Sequence, residues 1–211
     1  MRAERASKVL KLLAGAYPEA GCELRRASAL DLLIATILSA QCTDKRVNEV
    51  TKTLFKKYRR AEDYARASLR TLEREVHSTG FFRSKARHIR EAARMLVERH
   101  GGKVPDTMEA LLELPGVARK TANVVLGTWF GKAEGVVVDT HVLRLSRRLG
   151  WTKENDPVKV ERGLMALFPR AEWTLLSHRL IQHGRRVCRA LKPDCPACPV
   201  RALCPRLGVR P

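Results

Sequence analysis

Four cysteines close to the C-terminus set the tightest condition on how this chain folds. Cys188, Cys195, Cys198 and Cys204 are separated by six, two and five residues. Pro193, Pro196 and Pro199 stand among them. Each proline fixes its own φ, so the loop has few competing conformations to lose when the thiols converge. Four thiols in so short a loop read as one metal site. Zinc held by four thiolates is one reading, but structural zinc sites favour two close cysteine pairs, and here only Cys195 and Cys198 are close. An iron–sulfur cluster also takes four thiolates and accepts varied spacing. From spacing alone both stay open, the cluster fitting it better. Cys22 and Cys42 are left over. Cys22 reads as a small buried hydrophobe, whereas Cys42 adjoins a polar patch where its thiol is expected to be exposed.

The thiols need a metal site because disulfides are not expected. The N-terminus, Met1-Arg2-Ala3-Glu4-Arg5, has no apolar region of the secretory kind, so a cytoplasmic setting is expected, where structural disulfides are rare. With 211 residues, 45% of them hydrophobic, the chain can bury one good core or two modest lobes. Lys and Arg total 41 against 22 acidic residues, a net charge of +19. Such an excess points to a polyanionic partner. A membrane surface is the competing polyanion. The longest apolar runs, 32–38 and 136–138, are far too short to span a bilayer, and the basic residues are spread along the chain instead of lining one face. Nucleic acid fits better.

Apolar spacing predicts helix after helix. Residues 29–40 read as a helix buried nearly all round. Residues 44–58 follow with Val47, Val50, Leu54, Phe55 and Tyr58 on one face. A third helix carries Leu69, Leu72 and Val76 and stops at Gly80. The next is expected to begin near Ser84 and to end at Gly101-Gly102. Asp106 and Glu109 have capping-box spacing and open a short helix through Leu114. Lys120–Trp129 forms another, 136–138 is briefly extended, and Asp139 caps a helix running to Leu149. Asp156-Pro157 starts the next, and a final helix covers about 172–183. The expected class is all-α.

Leu114-Pro115-Gly116-Val117-Ala118-Arg119-Lys120 joins two of these helices through a tight hairpin. Glycine lets the backbone approach a ligand closely, and the start of the second helix presents N–H groups that form an anion site. In a chain this basic, a backbone phosphate is the natural occupant, bound without regard to base sequence. Lys120 gains meaning from Asp139. Alone, Asp139 reads as a cap and Lys120 as a solvated charge. As a pair they suit covalent chemistry. A lysine near its reference pKa of about 10.4 is protonated and cannot attack. Burial of the amine would favour its neutral form, and a carboxylate would take a proton or stabilise positive charge at a sugar carbon. Arg186, Arg189 and Lys192, in the cysteine-rich segment, are expected to contact phosphates, whereas Arg206 and Arg210 read as a solvated tail.

These segments together resemble the endonuclease III family of the helix–hairpin–helix superfamily. The matching pieces are Leu38-Ser39-Ala40-Gln41, Thr43-Asp44, Gly80, Ser84-Lys85-Ala86, Leu114-Pro115-Gly116-Val117, 119–125, Val138-Asp139-Thr140-His141 and the four cysteines. The resemblance implies a two-lobed all-α fold: a six-helix bundle over about 22–132, and a lobe combining 1–21 with 133–211 around a [4Fe–4S] cluster on Cys188, Cys195, Cys198 and Cys204. It implies a monomer that excises oxidised pyrimidines from double-stranded DNA and cleaves at abasic sites, flipping out the damaged nucleotide. Lys120 aligns with the family's nucleophile and Asp139 with its catalytic aspartate. DNA contacts are implied at Gln41, which fills the hole left by the flipped base, at Phe81, an apolar wedge, and at Gly116, Ala118, Thr121 and His141. Phe82 is expected to pack in the core. Two departures stand out. Ala118 replaces the hairpin's usual second glycine, and Cys42 replaces a small inert residue. Two other readings remain: an adenine-mismatch glycosylase, which generally lacks the lysine and carries a further C-terminal domain, and a non-catalytic iron–sulfur DNA-binding protein.

Overall fold

The computed structural model describes residues 2–209, Arg2 through its backbone only; Arg210 lies outside the described residues. Among the described residues eleven α-helices succeed one another: α1 (Arg2–Ala16), α2 (Ala29–Leu38), α3 (Asp44–Lys57), α4 (Ala61–Arg66), α5 (Leu69–Val76), α6 (Phe82–His100), α7 (Met108–Glu113), α8 (Arg119–Thr128), α9 (Thr140–Arg148), α10 (Pro157–Leu167) and α11 (Trp173–Arg186). Among the described residues there is no strand, and no helix is long and apolar enough to cross a membrane. The chain divides into two compact units, one continuous (Glu23–Lys132) and one split (Met1–Cys22 with Ala133–Pro211).

The continuous unit is organised by α2, which is buried from Leu30 to Leu38. It starts at Ser28, whose side chain accepts from the Asp31 amide at 3.0 Å, while Asp31 Oδ2 accepts from the Ala27 amide at 2.9 Å. A cap of this kind contributes about 1 kcal/mol. Helices α3, α6 and α8 all pack on α2, and α4 and α5 pack on α6. The unit holds seven α-helices, α2 to α8, where the resemblance implies six. The short α4 is a segment the apolar spacing does not announce. It anchors through Tyr64, fully buried and stacked on Tyr58 at 4.8 Å between ring centroids.

Two boundaries in this unit differ from expectation. Helix α6 begins at Phe82 rather than near Ser84, because Phe81 turns the chain in the left-handed region (φ 47°) and lets the helix start directly after it. Helix α7 is capped by Thr107, which accepts from the Ala110 amide at 3.4 Å; Asp106 instead pairs with Lys132 at 2.6 Å.

The split unit was only partly legible in the sequence. No helix was expected before residue 29, yet α1 places Ala6, Val9, Leu10 and Leu13 on one buried face, the i, i+3, i+4, i+7 pattern of an amphipathic helix. Helix α1 lies against α11, α11 against α9, and α9 against α10. Leu145, Leu149, Leu164, Leu176 and Leu180 join α1 in the core, where the Trp151 ring edge meets Phe168 at 4.9 Å. Each fully buried aliphatic side chain there contributes roughly 1.5–3 kcal/mol. Helix α10 opens as expected on Asp156, which accepts from the Lys159 amide at 2.9 Å with Pro157 at the first helical position. Helix α11 runs past the expected 183 to Arg186, carrying the chain straight to the first cysteine of the loop.

Candidate active site

Helices α7 and α8 form the expected hairpin. Its turn closes through the Val117 amide on the Leu114 carbonyl at 3.1 Å. Gly116 is required twice over. Its φ is +79°, and a Cβ there would stand 2.8 Å from His88 Cβ and 2.9 Å from His88 Nδ1. Ala118 is not a strained substitute for glycine: with φ −93° and ψ 170° it adopts ordinary extended backbone, and it is exposed. It contributes no side-chain cap, so the first turn of α8 is left uncapped. Thr121 is half-buried in that turn, and Lys120 is exposed. The burial expected to neutralise the amine is therefore absent from the protein by itself.

A second constellation lies within the same unit. Gln41 and Phe81 line one pocket together with Ile37, Ser84, Lys85 and His88, and Gly116 borders it. Gln41 (φ 53°) and Phe81 (φ 47°) both sit in the left-handed region. For a bulky residue such as Phe this conformation is rare, and it persists only where the surroundings over-determine it. Phe81 is 67% exposed. Phe82, expected in the core, is half-buried with its ring 4.4 Å from the His77 ring. Cys42 is half-buried rather than fully exposed, close enough to Lys85 for a thiolate there to favour the ammonium. Cys22 is likewise half-buried rather than fully buried.

In the split unit, Asp139 caps α9. Its Oδ1 accepts from the amides of both His141 and Val142 at 2.8 Å, which leaves Oδ2 uncommitted among the described residues. The carboxylate is half-buried. His141 faces α11 so closely that a Cβ on Gly184 would stand 2.7 Å from its Nδ1. Arg144 Nη2 lies 3.1 Å from the same nitrogen and donates to the Gly184 carbonyl at 2.9 Å. Burial pushes His141 below the usual histidine range, with Asp139 opposing the shift.

All four cysteines of the loop line one cavity, whose walls include Leu145, Arg148 and His183. Among the described residues no three Cys, His, Asp or Glu side chains come close enough to hold a single ion. A lone zinc needs its sulfurs at about 2.3 Å, hence close to one another. A four-iron cluster takes each thiolate at a different iron, and four thiols spread around a shared cavity fit that group better. The sulfurs also have N–H donors. Arg148 Nη1 reaches Cys188 Sγ at 3.4 Å, His183 Nε2 lies 3.5 Å from Cys198 Sγ, and the Arg206 amide reaches Cys204 Sγ at 3.4 Å. His183 is 2% exposed, and burial pulls its pKa down to about 4; the neutral ring bonds Tyr17 Oη through Nδ1 at 2.8 Å. Burial pushes the Cys198 and Cys204 thiols up, a cost that a bound cation reverses. Arg186, Arg189 and Lys192 are exposed around this loop, and the Arg186 guanidinium lies 5.9 Å from the Tyr17 ring centre.

Sequence reasoning missed Lys85, Arg144, Arg148, His183 and Tyr17. His183 had a faint signal in its position just before Cys188. Lys85 lay in the matching Ser84-Lys85-Ala86 segment but was given no role, and Tyr17, Arg144 and Arg148 bond partners far away in the chain and had no signal.

A glycine-turned helical hairpin, an all-α fold and a four-cysteine loop together define a class. Residues 34–170 match the HhH-GPD superfamily of base excision DNA repair proteins. Within it, the chain belongs to the endonuclease III family. It is 53% identical to endonuclease III of Synechocystis sp., over 96% of this chain and 92% of the relative. It is 47% identical to endonuclease III of Bacillus subtilis, over 89% and 86%. Among solved structures it is similar to a trapped endonuclease III–DNA covalent intermediate in an estranged-adenine complex, at TM-score 0.92 and 44% identity, covering 97% of this chain and 96% of that one. A thermostable thymine-DNA glycosylase, at TM-score 0.82 and 24% identity, shares the fold.

Proposed function

We propose that this chain is a base-excision DNA glycosylase with AP lyase activity, acting on oxidised pyrimidines in double-stranded DNA through Lys120 as nucleophile and Asp139 as its partner. One observation carries the reading. Lys120 is an exposed amine in the uncapped first turn of the hairpin's second helix, in a chain 44% identical to a protein trapped covalently on DNA. The neutral amine attacks the sugar C1′, and the C1′–base bond breaks with the base leaving. The lysine nitrogen then forms a double bond to C1′ as the C1′–O4′ bond breaks, opening the sugar ring with a proton going to O4′, and the Schiff base so formed makes the C2′ proton acidic. Its removal expels the 3′ oxygen and breaks the strand 3′ to the lesion. Oδ2 of Asp139, not used in capping, is the oxygen available to take the lysine proton or to face the developing sugar cation. Bound DNA supplies the desolvation that the free protein does not.

Gln41 fills the space vacated by the flipped nucleotide, and Phe81 wedges between bases. Gly116, Ala118 and Thr121 hold a phosphate at the hairpin. His141 faces DNA beside Asp139, and Arg186, Arg189 and Lys192 contact backbone phosphates. Cys188, Cys195, Cys198 and Cys204 hold a [4Fe–4S] cluster, which pins the loop and takes no part in the bond changes. On this reading the protein works as a monomer on the DNA of the cytoplasm.

Borohydride trapping on a duplex with an abasic site tests the nucleophile. The protein is expected to form a covalent adduct. Lys120→Gln is expected to form none while still binding the duplex, because one amine among 41 basic residues adds little to affinity. Normal trapping by Lys120→Gln refutes the assignment. The cluster has its own check: anaerobically purified protein is expected to contain iron, and stoichiometric zinc without iron refutes it.

A further inference from the structure

Lys85 is 4% exposed, and lysines are almost never buried unless their charge is met. Among the described residues no carboxylate meets it. Its ammonium instead donates to the Leu38 carbonyl and to the Thr79 carbonyl, both at 2.7 Å. Each carbonyl closes a segment. Leu38 ends α2, where the last carbonyls have no helical partner and carry partial negative charge. Thr79 ends the 3₁₀ turn that leads to Gly80. From Leu38 the chain runs on to Gln41, and from Thr79 to Phe81, the two non-glycine residues of this unit with positive φ. The Lys85 amide also closes the first turn of α6 on the Phe81 carbonyl at 3.0 Å. One residue thus grips the base of one loop at one point and the other at two.

We infer that Lys85 is a positioning residue that ties the Gln41 and Phe81 loops into one rigid unit, so that filling the vacated space and wedging the neighbouring bases occur together at a fixed separation. The inference rests on the DNA-inserting roles proposed for Gln41 and Phe81. An ammonium suits the task because it offers several donors from one atom, and two such bonds in a water-poor site hold more firmly than they would in water. Both loops carry strained residues, which need this kind of over-determination to stay put. An apolar side chain of similar length would fill the same space but would leave both carbonyls unpaired and the loops independent. Burial draws Lys85 below the usual lysine range; the two carbonyls supply the compensation.

The test uses the full chain and a duplex with 2-aminopurine beside a stable abasic analogue, whose fluorescence reports insertion. Single-turnover excision on a lesion duplex is followed in parallel. Gln41→Ala, Phe81→Ala and their double variant set the scale. Lys85→Met is expected to lose the insertion signal and to slow excision at saturating enzyme as far as the double variant does, on the order of 10²-fold. Its binding to undamaged duplex is expected to stay unchanged. Lys85→Arg, which keeps two donors, is expected to retain most of the signal even if its Tm falls. Added to the double variant, Lys85→Met is expected to have no further effect on the signal. If Lys85→Met does not fold, Lys85→Gln replaces it and is expected to fall between Met and Arg. A normal signal in Lys85→Met overturns the inference, as does a loss that adds to the double variant or tracks Tm across the series. If Gln41→Ala and Phe81→Ala themselves leave the signal intact, the roles proposed for those residues fail, and the inference falls with them. If they impair it and the Lys85 variants do not, the inference alone fails.

Discussion

The helix starts at α8 and α9 are built in opposite ways. Helix α8 begins at Ala118, which has no side chain to give, so its first turn is left uncapped and attractive to an anion. Helix α9 begins at Asp139, whose Oδ1 takes two amides at 2.8 Å and so closes that turn from within. The sequence thus leaves one positive helix end for a ligand and spends the other on its own carboxylate. The spending is incomplete, because one oxygen does the capping and the other stays uncommitted. An aspartate held this way is rigid, half-buried and still chemically available. On the proposed reading, a cap doubles as a catalytic group at the closed start, and Lys120 stands on the open one.

After loss of the proposed nucleophile, Lys120, the largest effect expected from breaking this contrast comes at Asp139. Asn caps a helix about as well as Asp, so Asp139→Asn is expected to keep its Tm while excision slows by about 10²–10⁴-fold, the usual range for a lost proton-transfer group. Asp139→Ala removes the cap as well and is expected to lose about 1 kcal/mol of stability in addition. Thermal melts beside single-turnover rates separate the two. Equal loss of stability and rate in both variants would make Asp139 a cap and nothing more.

The open start can be closed in the same way. Ala118 has the extended backbone of an N-cap residue, so Ala118→Asp is expected to cap α8 and raise stability by about 1 kcal/mol. The new carboxylate would occupy the amides proposed to hold phosphate. Binding to damaged and undamaged duplexes is then expected to weaken alike, by roughly tenfold, the worth of a charge-assisted hydrogen bond. Unchanged affinity in a stabilised Ala118→Asp protein would show that phosphate does not sit there.

What the sequence disclosed follows the reach of the forces involved. The cap at Asp139, the Asp156-Pro157 start and the stop at Gly101 are local chemistry, and all were legible. The buried run of α2 was equally plain, since only a core helix is apolar on every side. Helix α1 was written in the spacing of Ala6, Val9, Leu10 and Leu13 but masked by the charges between them. The start of α6 was misplaced because it depends on a left-handed Phe81, which pattern does not announce. The choice of Thr107 over Asp106 turned on Lys132, a partner distant in sequence. In the site, Lys120, Asp139 and the cysteines stood out by motif. Arg148 did not, and Lys85 lay in a matching segment without a role, because their partners are backbone carbonyls such as those of Leu38 and Arg189, and any residue type supplies a carbonyl.

The smallest expected effect concerns binding through side chains instead of helix amides. Arg186, Arg189 and Lys192 are exposed around the cysteine loop, and each phosphate contact they make releases counterions. Replacing one with Ala is expected to lower the slope of log K against log salt by roughly one unit. Damaged and undamaged duplexes should respond alike, with excision at saturating enzyme near normal. The three should not be equal. Arg186 is held over the Tyr17 ring before any DNA arrives, and Arg148 braces the loop backbone by donating to the Arg189 and Ala190 carbonyls at 2.8 Å. The Arg186 side chain therefore starts from an ordered position and loses little freedom on binding, whereas at Arg189 it is the backbone that is held. Lys192 has no such support and gives back about 0.5–1.5 kcal/mol in ordering a flexible side chain. The expected ranking for affinity loss is Arg186 first, then Arg189 on its braced backbone, then Lys192, measured by equilibrium binding over a salt series. An unchanged slope for all three would place the loop away from the DNA backbone and leave the hairpin amides as the main phosphate contact.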